Sequence, residues 1–336
     1  MVKKNLCGLT SDEIFDLIVS SGFTAAHAVI ISNSIYKKGI SDISDIAKIP
    51  YRLKEELSGM AVSGIFLPLT SEISEDKSVK YLFRTENGKE FETVYIPDKK
   101  RNTVCVSTQS GCRMGCSFCL TGRYGYKGNL TAGEIVNQII AIPLSQNITH
   151  VVFMGMGEPM DNLENVLKAC RIITSEWGLA LSSRNITIST VGILAEVEQF
   201  LQKSDCNLTL SLFSPFKEER KRFIPVENKY PVEAIINAMK RSPVRKKRRF
   251  SIAYVMVKNL NDTDRHLDEL KNILKDSSIR VNLLPYHAVP NDQNCPSSSE
   301  RMQFFKHNLI VSGISASIRK SRGTDISAAC GLLAIR

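Results

Sequence analysis

The sequence predicts an α/β protein, a partial (β/α)6 barrel preceded by a small helical domain and a β-hairpin. Three observations predict it. From Thr103 onward, six short apolar segments alternate with longer segments of helical periodicity, the pattern of parallel strands joined by right-handed crossovers. Upstream, Asn87-Gly88 separates two strand-like runs, a strong signal for a two-residue hairpin turn. Nearer the N-terminus, capping signatures and helical spacing replace the strand pattern. A chain of 336 residues has room for one large α/β domain and a small accessory one.

In order, Thr10-Ser-Asp-Glu13 is a capping box ahead of Ile14, Phe15, Leu17 and Ile18, and Gly22 ends that helix. A second helix runs from Thr24 to about Tyr36, and Pro50 opens a third that continues through Leu57. His27 is read as an ordinary helix residue and not as a ligand. Val79–Arg84 and Phe91–Ile96 form the hairpin, and the polar link after Pro97 sets the expected boundary between an accessory domain (1–97) and a core domain (98–336).

The core strands are expected at Val104–Thr108, His150–Met154, Asn185–Ser189, Cys206–Leu212, Phe250–Val257 and Val281–Leu284. Helices are expected at Ala132–Ile142, Leu163–Glu176, Gly192–Lys203, Pro231–Met239 and Thr263–Leu274, and residues 290–299 as an exposed loop. In such a barrel the chemistry sits at the C-terminal ends of the strands.

Net charge is +10. Basic side chains gain affinity for phosphates by releasing counterions, so a nucleic acid is the expected partner, ahead of an anionic membrane surface. Seven of the ten residues Lys240–Arg249 are basic, and Phe216–Arg222 and Arg319–Arg322 add smaller clusters; a solvated face is the plainer reading of the small ones. No apolar run approaches a membrane span, and Lys3-Lys4 is followed by none, so neither a membrane anchor nor a signal peptide is expected. The expected compartment is the cytoplasm, with reduced thiols.

Cys112, Cys116 and Cys119 stand in C-x3-C-x2-C spacing on a glycine-bearing loop after the first core strand. Thiolates so close in sequence can converge on one centre, and soft sulfur selects zinc or an iron–sulfur cluster. A zinc knuckle with a remote fourth ligand, or cysteines that merely pack, are the alternatives. With Phe118 before the last cysteine, the spacing resembles the signature of radical S-adenosylmethionine (SAM) enzymes. That resemblance implies a [4Fe–4S] cluster on the three thiolates, its fourth iron chelating SAM, whose reductive cleavage gives a 5′-deoxyadenosyl radical. Gly155-Met-Gly157-Glu158-Pro159 resembles the segment that binds the methionine amino group. Ser189 and Ser211, at strand ends, are where hydroxyls could meet SAM.

Further motifs narrow the resemblance. Phe91-Glu-Thr-Val, Cys105-Val-Ser-Thr-Gln, Asn129-Leu-Thr, Gly155-Met-Gly-Glu-Pro, Ile188-Ser-Thr and Asp325-Ile-Ser-Ala-Ala-Cys330 occur in the order found in the RlmN/Cfr family of RNA adenosine methyltransferases. The likeness runs from about Leu9 to Leu333.

It implies two SAM molecules per turnover. One methylates Cys330; the second, on the cluster, yields a radical that abstracts hydrogen from the S-methyl group. The carbon radical adds to adenine C2 or C8, which carry no nucleophilic character. Cys105 then resolves the adduct by thiol–disulfide exchange, with Glu92 as proton acceptor. The implied cofactor-binding residues are Gly157, Glu158, Ser189, Ser211, Leu212, Phe213 and His287. The implied substrate is 23S rRNA, also tRNA in one branch; a flavodoxin-type electron donor and a monomeric enzyme are expected.

Cys7, Cys170, Cys206 and Cys295 are read as buried structural cysteines. Two residues depart from the family pattern: Phe213 replaces histidine in Ser-Leu-His, and His287 replaces asparagine. Two rivals remain at this point, a radical SAM enzyme that does not methylate and a cluster-stabilised RNA-binding protein without turnover.

Overall fold

The computed structural model describes residues 3–99, 101–243, 247–290 and 292–334. The chain begins with β1 (Lys4–Asn5), α1 (Ser11–Ile18), α2 (Ala25–Tyr36), α3 (Tyr51–Met60) and β2 (Ala61–Val62), with β1 and β2 pairing in parallel. The capping box is present: Thr10 Oγ1 accepts from the Glu13 amide, and Glu13 Oε2 accepts from the Thr10 amide at 2.8 Å. His27 has a local role, its Nδ1 accepting from the Thr24 amide at the start of α2. Ile14, Ile18, Ile31, Ile35, Leu53 and Leu57 close the helical core.

Next come β3 (Thr70–Ile73), β4 (Val79–Arg84), β5 (Glu90–Ile96), β6 (Thr103–Cys105), β7 (Gln109–Gly111), α4 (Leu120–Tyr124), β8 (Tyr126–Asn129) and α5 (Ala132–Ile140). The alternating core continues with β9 (His150–Phe153), α6 (Leu163–Thr174), β10 (Ile186–Thr190), α7 (Leu194–Lys203), β11 (Asn207–Ser211), α8 (Lys217–Phe223) and α9 (Val232–Arg241). It closes with β12 (Phe250–Met256), α10 (Asp264–Leu274), β13 (Arg280–Pro285), α11 (Ser299–Val311) and β14 (Ala316–Ile318).

One ten-stranded sheet runs in the order β14-β13-β12-β11-β10-β9-β6-β5-β4-β3. From β6 to β14 every pairing is parallel, whereas β3, β4 and β5 join as an antiparallel extension through β5–β6. The hairpin therefore shares a sheet with the barrel, and the expected boundary at residue 97 falls in the β5–β6 connection.

The six expected core strands are present, and β14 is a seventh parallel strand that the sequence reading did not contain. Three residues are too few to display a period. Helix α11 was also missed, because exposed Phe304, Ile310 and Val311 blur the stripe made by Met302, Phe305 and Leu309.

Three surface expectations are corrected. Arg220, within the basic cluster 216–222, is fully buried because it pairs with Glu227 inside the protein. Arg248, within the basic run, is also buried and donates to the carbonyl of Leu201 at 3.1 Å; residues 244–246 of that run lie outside the described residues. Cys295 is exposed, lying in the loop that precedes α11; Asn291 of that loop is outside the described residues. Among the described residues no helix is long and apolar enough to cross a membrane.

Candidate active site

The turn after β9 is built for close approach. A Cβ on Gly155 would stand 2.7 Å from Ser107 Oγ. Gly157 has φ +97° and would meet Gln109 Cβ at 2.6 Å, so only glycine fits there. Gln109 locks the turn: its Oε1 accepts from the Glu158 amide at 2.9 Å, while Nε2 donates to Asn129 Oδ1 and Asp161 Oδ2.

The carboxylate of Glu158 is buried and held by two backbone amides, Met160 N–H to Oε1 at 3.0 Å and Val191 N–H to Oε2 at 2.9 Å. Burial outweighs these donors and pushes its pKa up to about 7.

The three-cysteine loop lies between β7 and α4. Gly111, at φ +76°, admits it, since a Cβ there would stand 1.6 Å from the Gly125 carbonyl oxygen. The Cys112 amide donates to that carbonyl at 3.1 Å, and the Cys119 amide to Cys116 O at 3.2 Å. Cys116 is buried; Cys112 and Cys119 are half-buried. Burial pushes the Cys112 thiol up to about 12 and Cys116 well above the usual thiol range, and charge on neighbouring cysteines raises both further.

The three sulfurs thus share one electrostatic neighbourhood, although no three His, Cys, Asp or Glu side chains among the described residues are drawn together as a ready-made metal site. Three soft donors on a short loop, with the buried Arg220 charge favouring the Cys116 thiolate, suit a cluster with one open iron.

Beside this loop Phe213 stacks between Phe118 (centroids 4.9 Å apart) and Phe223 (4.4 Å). Phe213 takes φ +64°, unusual for a bulky residue, and Asn261 Nδ2 holds its carbonyl at 2.7 Å. At the strand ends, Ser189 Oγ and Ser211 Oγ are 3.4 Å apart.

Sequence reasoning missed the residue that arranges these ends. Arg220 donates to the carbonyls of Leu212 at 3.0 Å, Ser211 at 3.1 Å and Val191 at 2.6 Å, with Glu227 as its counter-charge. No motif marks it: a basic helix residue reads as solvent-facing until its burial is known. His287 shares a hydrogen bond with Ser321 Oγ at 2.9 Å, and burial lowers its pKa.

The C-terminal segment brings the remaining residues together. Asp325 accepts from Ser74 Oγ at 2.6 Å and from the Glu75 amide, and Asp76 accepts from the Gly323 amide at 3.0 Å. At its other end, Gly331 O accepts from the Leu120 amide at 2.8 Å and Leu333 O from Thr121 Oγ1 at 2.7 Å. Cys330 is thereby suspended between the turn joining β3 to β4 and the helix that follows Cys119.

Burial raises the Cys105 thiol above the usual range, and the proximity of Cys330 raises it further; Cys330 in turn is raised by burial and then by Cys119. The Cys330 residue is open to water even though the surrounding protein raises its pKa, the combination expected at the floor of an open cleft. Both cysteines are free thiols.

Glu92 lies on the same face of the sheet, two residues from Val94, which pairs with Cys105. It is buried, and among the described residues Oε2 has no hydrogen-bond partner. Two groups of thiols thus come within electrostatic reach of one another, Cys119 of Cys330 and Cys330 of Cys105. One is gathered by a single loop, the other from opposite ends of the core.

Comparison with known proteins agrees with this layout. Residues 106–270 match the family model "Radical SAM superfamily". A Parabacteroides distasonis protein of the name RlmN is 39% identical, the match covering 98% of this chain and 96% of the relative. The dual-specificity RNA methyltransferase RlmN of Geobacter sulfurreducens is 36% identical over 97% of this chain and 91% of its own. The crystal structure of a radical SAM methyltransferase from Sphaerobacter thermophilus superposes with a TM-score of 0.91 at 34% identity, covering 98% of both chains. The chain belongs to the RlmN/Cfr family of radical SAM RNA methyltransferases. SAM-dependent methyl transfer and the radical SAM fold come with that membership, and SAM and a [4Fe–4S] cluster are the cofactors of the superfamily.

Proposed function

We propose that the chain methylates an adenosine of 23S rRNA, at C2 or C8, with tRNA as a second substrate class, and that Cys330 carries the methyl group. The observation that carries this reading is the double anchoring of the Cys330 segment. It is tied on one side to the β3–β4 turn and on the other to the helix after Cys119, between the candidate cluster loop and Cys105.

In this reading Cys112, Cys116 and Cys119 hold the cluster. Gly157, Glu158, Ser189, Ser211, Leu212, Phe213 and His287, at the strand ends, would hold SAM. Bound there, cluster and SAM supply the hydrogen-abstracting chemistry that activates the sulfur-bound methyl group, two SAM molecules being used per turnover.

The protein's own residues do the rest. Cys330 presents the methyl group as a thioether. Glu92 takes the proton that leaves the base. Cys105, giving up its thiol proton, attacks the Cys330 sulfur; the bond between that sulfur and the carbon bound to the base breaks with its electron pair on carbon, the carbon takes up a proton to become the methyl group, and a disulfide is left. The carboxylate of Glu158 faces the methionine ammonium. Residues 1–97 and the exposed Lys240, Arg241, Lys247 and Arg249 contact RNA phosphates, the enzyme works as a cytoplasmic monomer, and a flavodoxin-type protein donates electrons.

The test is a reconstituted assay with an rRNA fragment, followed by nucleoside mass spectrometry. Methyladenosine that depends on Cys330 is expected. Undiminished multiple-turnover methylation by Cys330→Ala would overturn the proposal.

A further inference from the structure

Lys80 projects from β4 onto the face of the sheet that carries Glu92. Register accounts for this: Lys80 pairs with Val94, Leu82 with Glu92 and Glu72 with Lys80, so all share one face. The ammonium lies 3.4 Å from Glu92 Oε1 and 3.2 Å from Glu72 Oε2, and it donates to the Ile326 carbonyl at 2.8 Å. Its side chain is 11% exposed, Glu92's 6% and Glu72's 58%, so the row leads from a buried carboxylate to a solvated one. A cavity of about 170 Å³ opens here, lined by Lys80, Glu92, Glu72, Asp325, Ile326 and Ala334. Ile326 belongs to the segment that carries Cys330, so one ammonium touches both the carboxylate and that segment.

We propose that Lys80 is a positioning residue for the methyl transfer, holding Glu92 as a carboxylate by its Oε1, leaving Oε2 free, and clamping the Cys330 segment to the same ammonium. This rests on the reading of Glu92 as proton acceptor. In that step a C–H bond of the substrate base breaks, its electron pair stays with carbon and the proton goes to Oε2.

The other groups facing Glu92 are Glu72 from β3, Cys105 from β6, Asp325 and the Ala334 amide from the C-terminal segment, and Met156 Sδ, which accepts from the Glu92 amide. Burial raises the Glu92 pKa, Lys80 lowers it and Glu72 raises it. The base form is lost as pH falls through that pKa, so the rate has an acid limb, and the two neighbours move that limb in opposite directions.

The test compares Lys80→Met, Lys80→Arg, Glu72→Gln and Glu92→Gln with the native reconstituted enzyme on an rRNA fragment. Methylation of Cys330 is followed by peptide mass spectrometry, and product formation from pH 6 to pH 9. Methylation of Cys330 is expected in all of them, because that step does not use Glu92.

Lys80→Met should move the acid limb to higher pH by about one unit, with up to about tenfold less product on the acidic side of the native limb that returns on raising the pH. Lys80→Arg should restore the native profile, and Glu72→Gln, at an exposed site that tolerates substitution, should move the limb to lower pH. An unmoved limb in Lys80→Met, or in Glu72→Gln should Lys80→Met not fold, overturns the role of Lys80. Full activity of Glu92→Gln, or an unmethylated Cys330 in the native enzyme, overturns the underlying reading instead.

Discussion

Glu158 and Glu92 are both buried carboxylates, and their surroundings differ in kind. Glu158 is held at both oxygens by backbone amides, and Glu92 is held at one oxygen by a side-chain ammonium while the other has no partner. Burial raises the pKa of each. Backbone donors are fixed by the fold, so the Glu158 carboxylate is held in a preset place, as its proposed role in binding SAM requires. An oxygen without a partner costs stability and keeps a lone pair available, which suits a group that must accept a proton. The cofactor side is a site of preset geometry; the methyl-transfer side keeps unspent capacity.

The largest expected effect is on the methyl-transfer side. Glu92→Gln keeps the volume and the bond to Lys80, so it should change stability by less than about 1 kcal/mol, yet reduce RNA methylation by at least about 100-fold. Chemical denaturation read beside the methylation assay separates the two quantities. A large loss of stability with activity retained would break the comparison.

Arg220→Met should cost about 3–5 kcal/mol in the same denaturation experiment, because it leaves Glu227 charged and buried. Adding Glu227→Leu should return much of that loss.

Glu158→Gln should cost about 1–3 kcal/mol, since its NH2 group must face one of the two backbone N–H donors, which then loses its acceptor. It should also weaken SAM binding, measured by calorimetry on the cluster-loaded protein. Smallest of all, Lys168→Ala removes a part-exposed ion pair with Glu13 and should change stability by at most about 1 kcal/mol.

The parts legible in the sequence were those with local signatures. The hairpin around Asn87-Gly88, the capping box at Thr10 and the alternation of the core all appear where residue spacing puts them, although the hairpin closes at Thr85 and Lys89 with three residues between them and not with the two-residue turn expected. The cysteine loop and the glycine turn at 155–157 were likewise visible, because both are short and chemically distinctive.

What could not be read were properties created by distance in the chain. Lys80 meets Glu92 only through strand register, and Arg220 meets the carbonyls of Val191 and Ser211, at the ends of β10 and β11, only once its helix is packed against them. Within its basic cluster, Arg220 looked like a surface cation. That the accessory hairpin continues the barrel sheet was hidden for the same reason: the β5–β6 pairing spans a polar link that reads as a boundary.

The most direct measurement is the mass of the Cys330 peptide from protein purified without oxygen, with its cluster intact and SAM supplied. The account predicts one added methyl group on Cys330, absent from Cys330→Ala. An unmodified Cys330 under those conditions would contradict it.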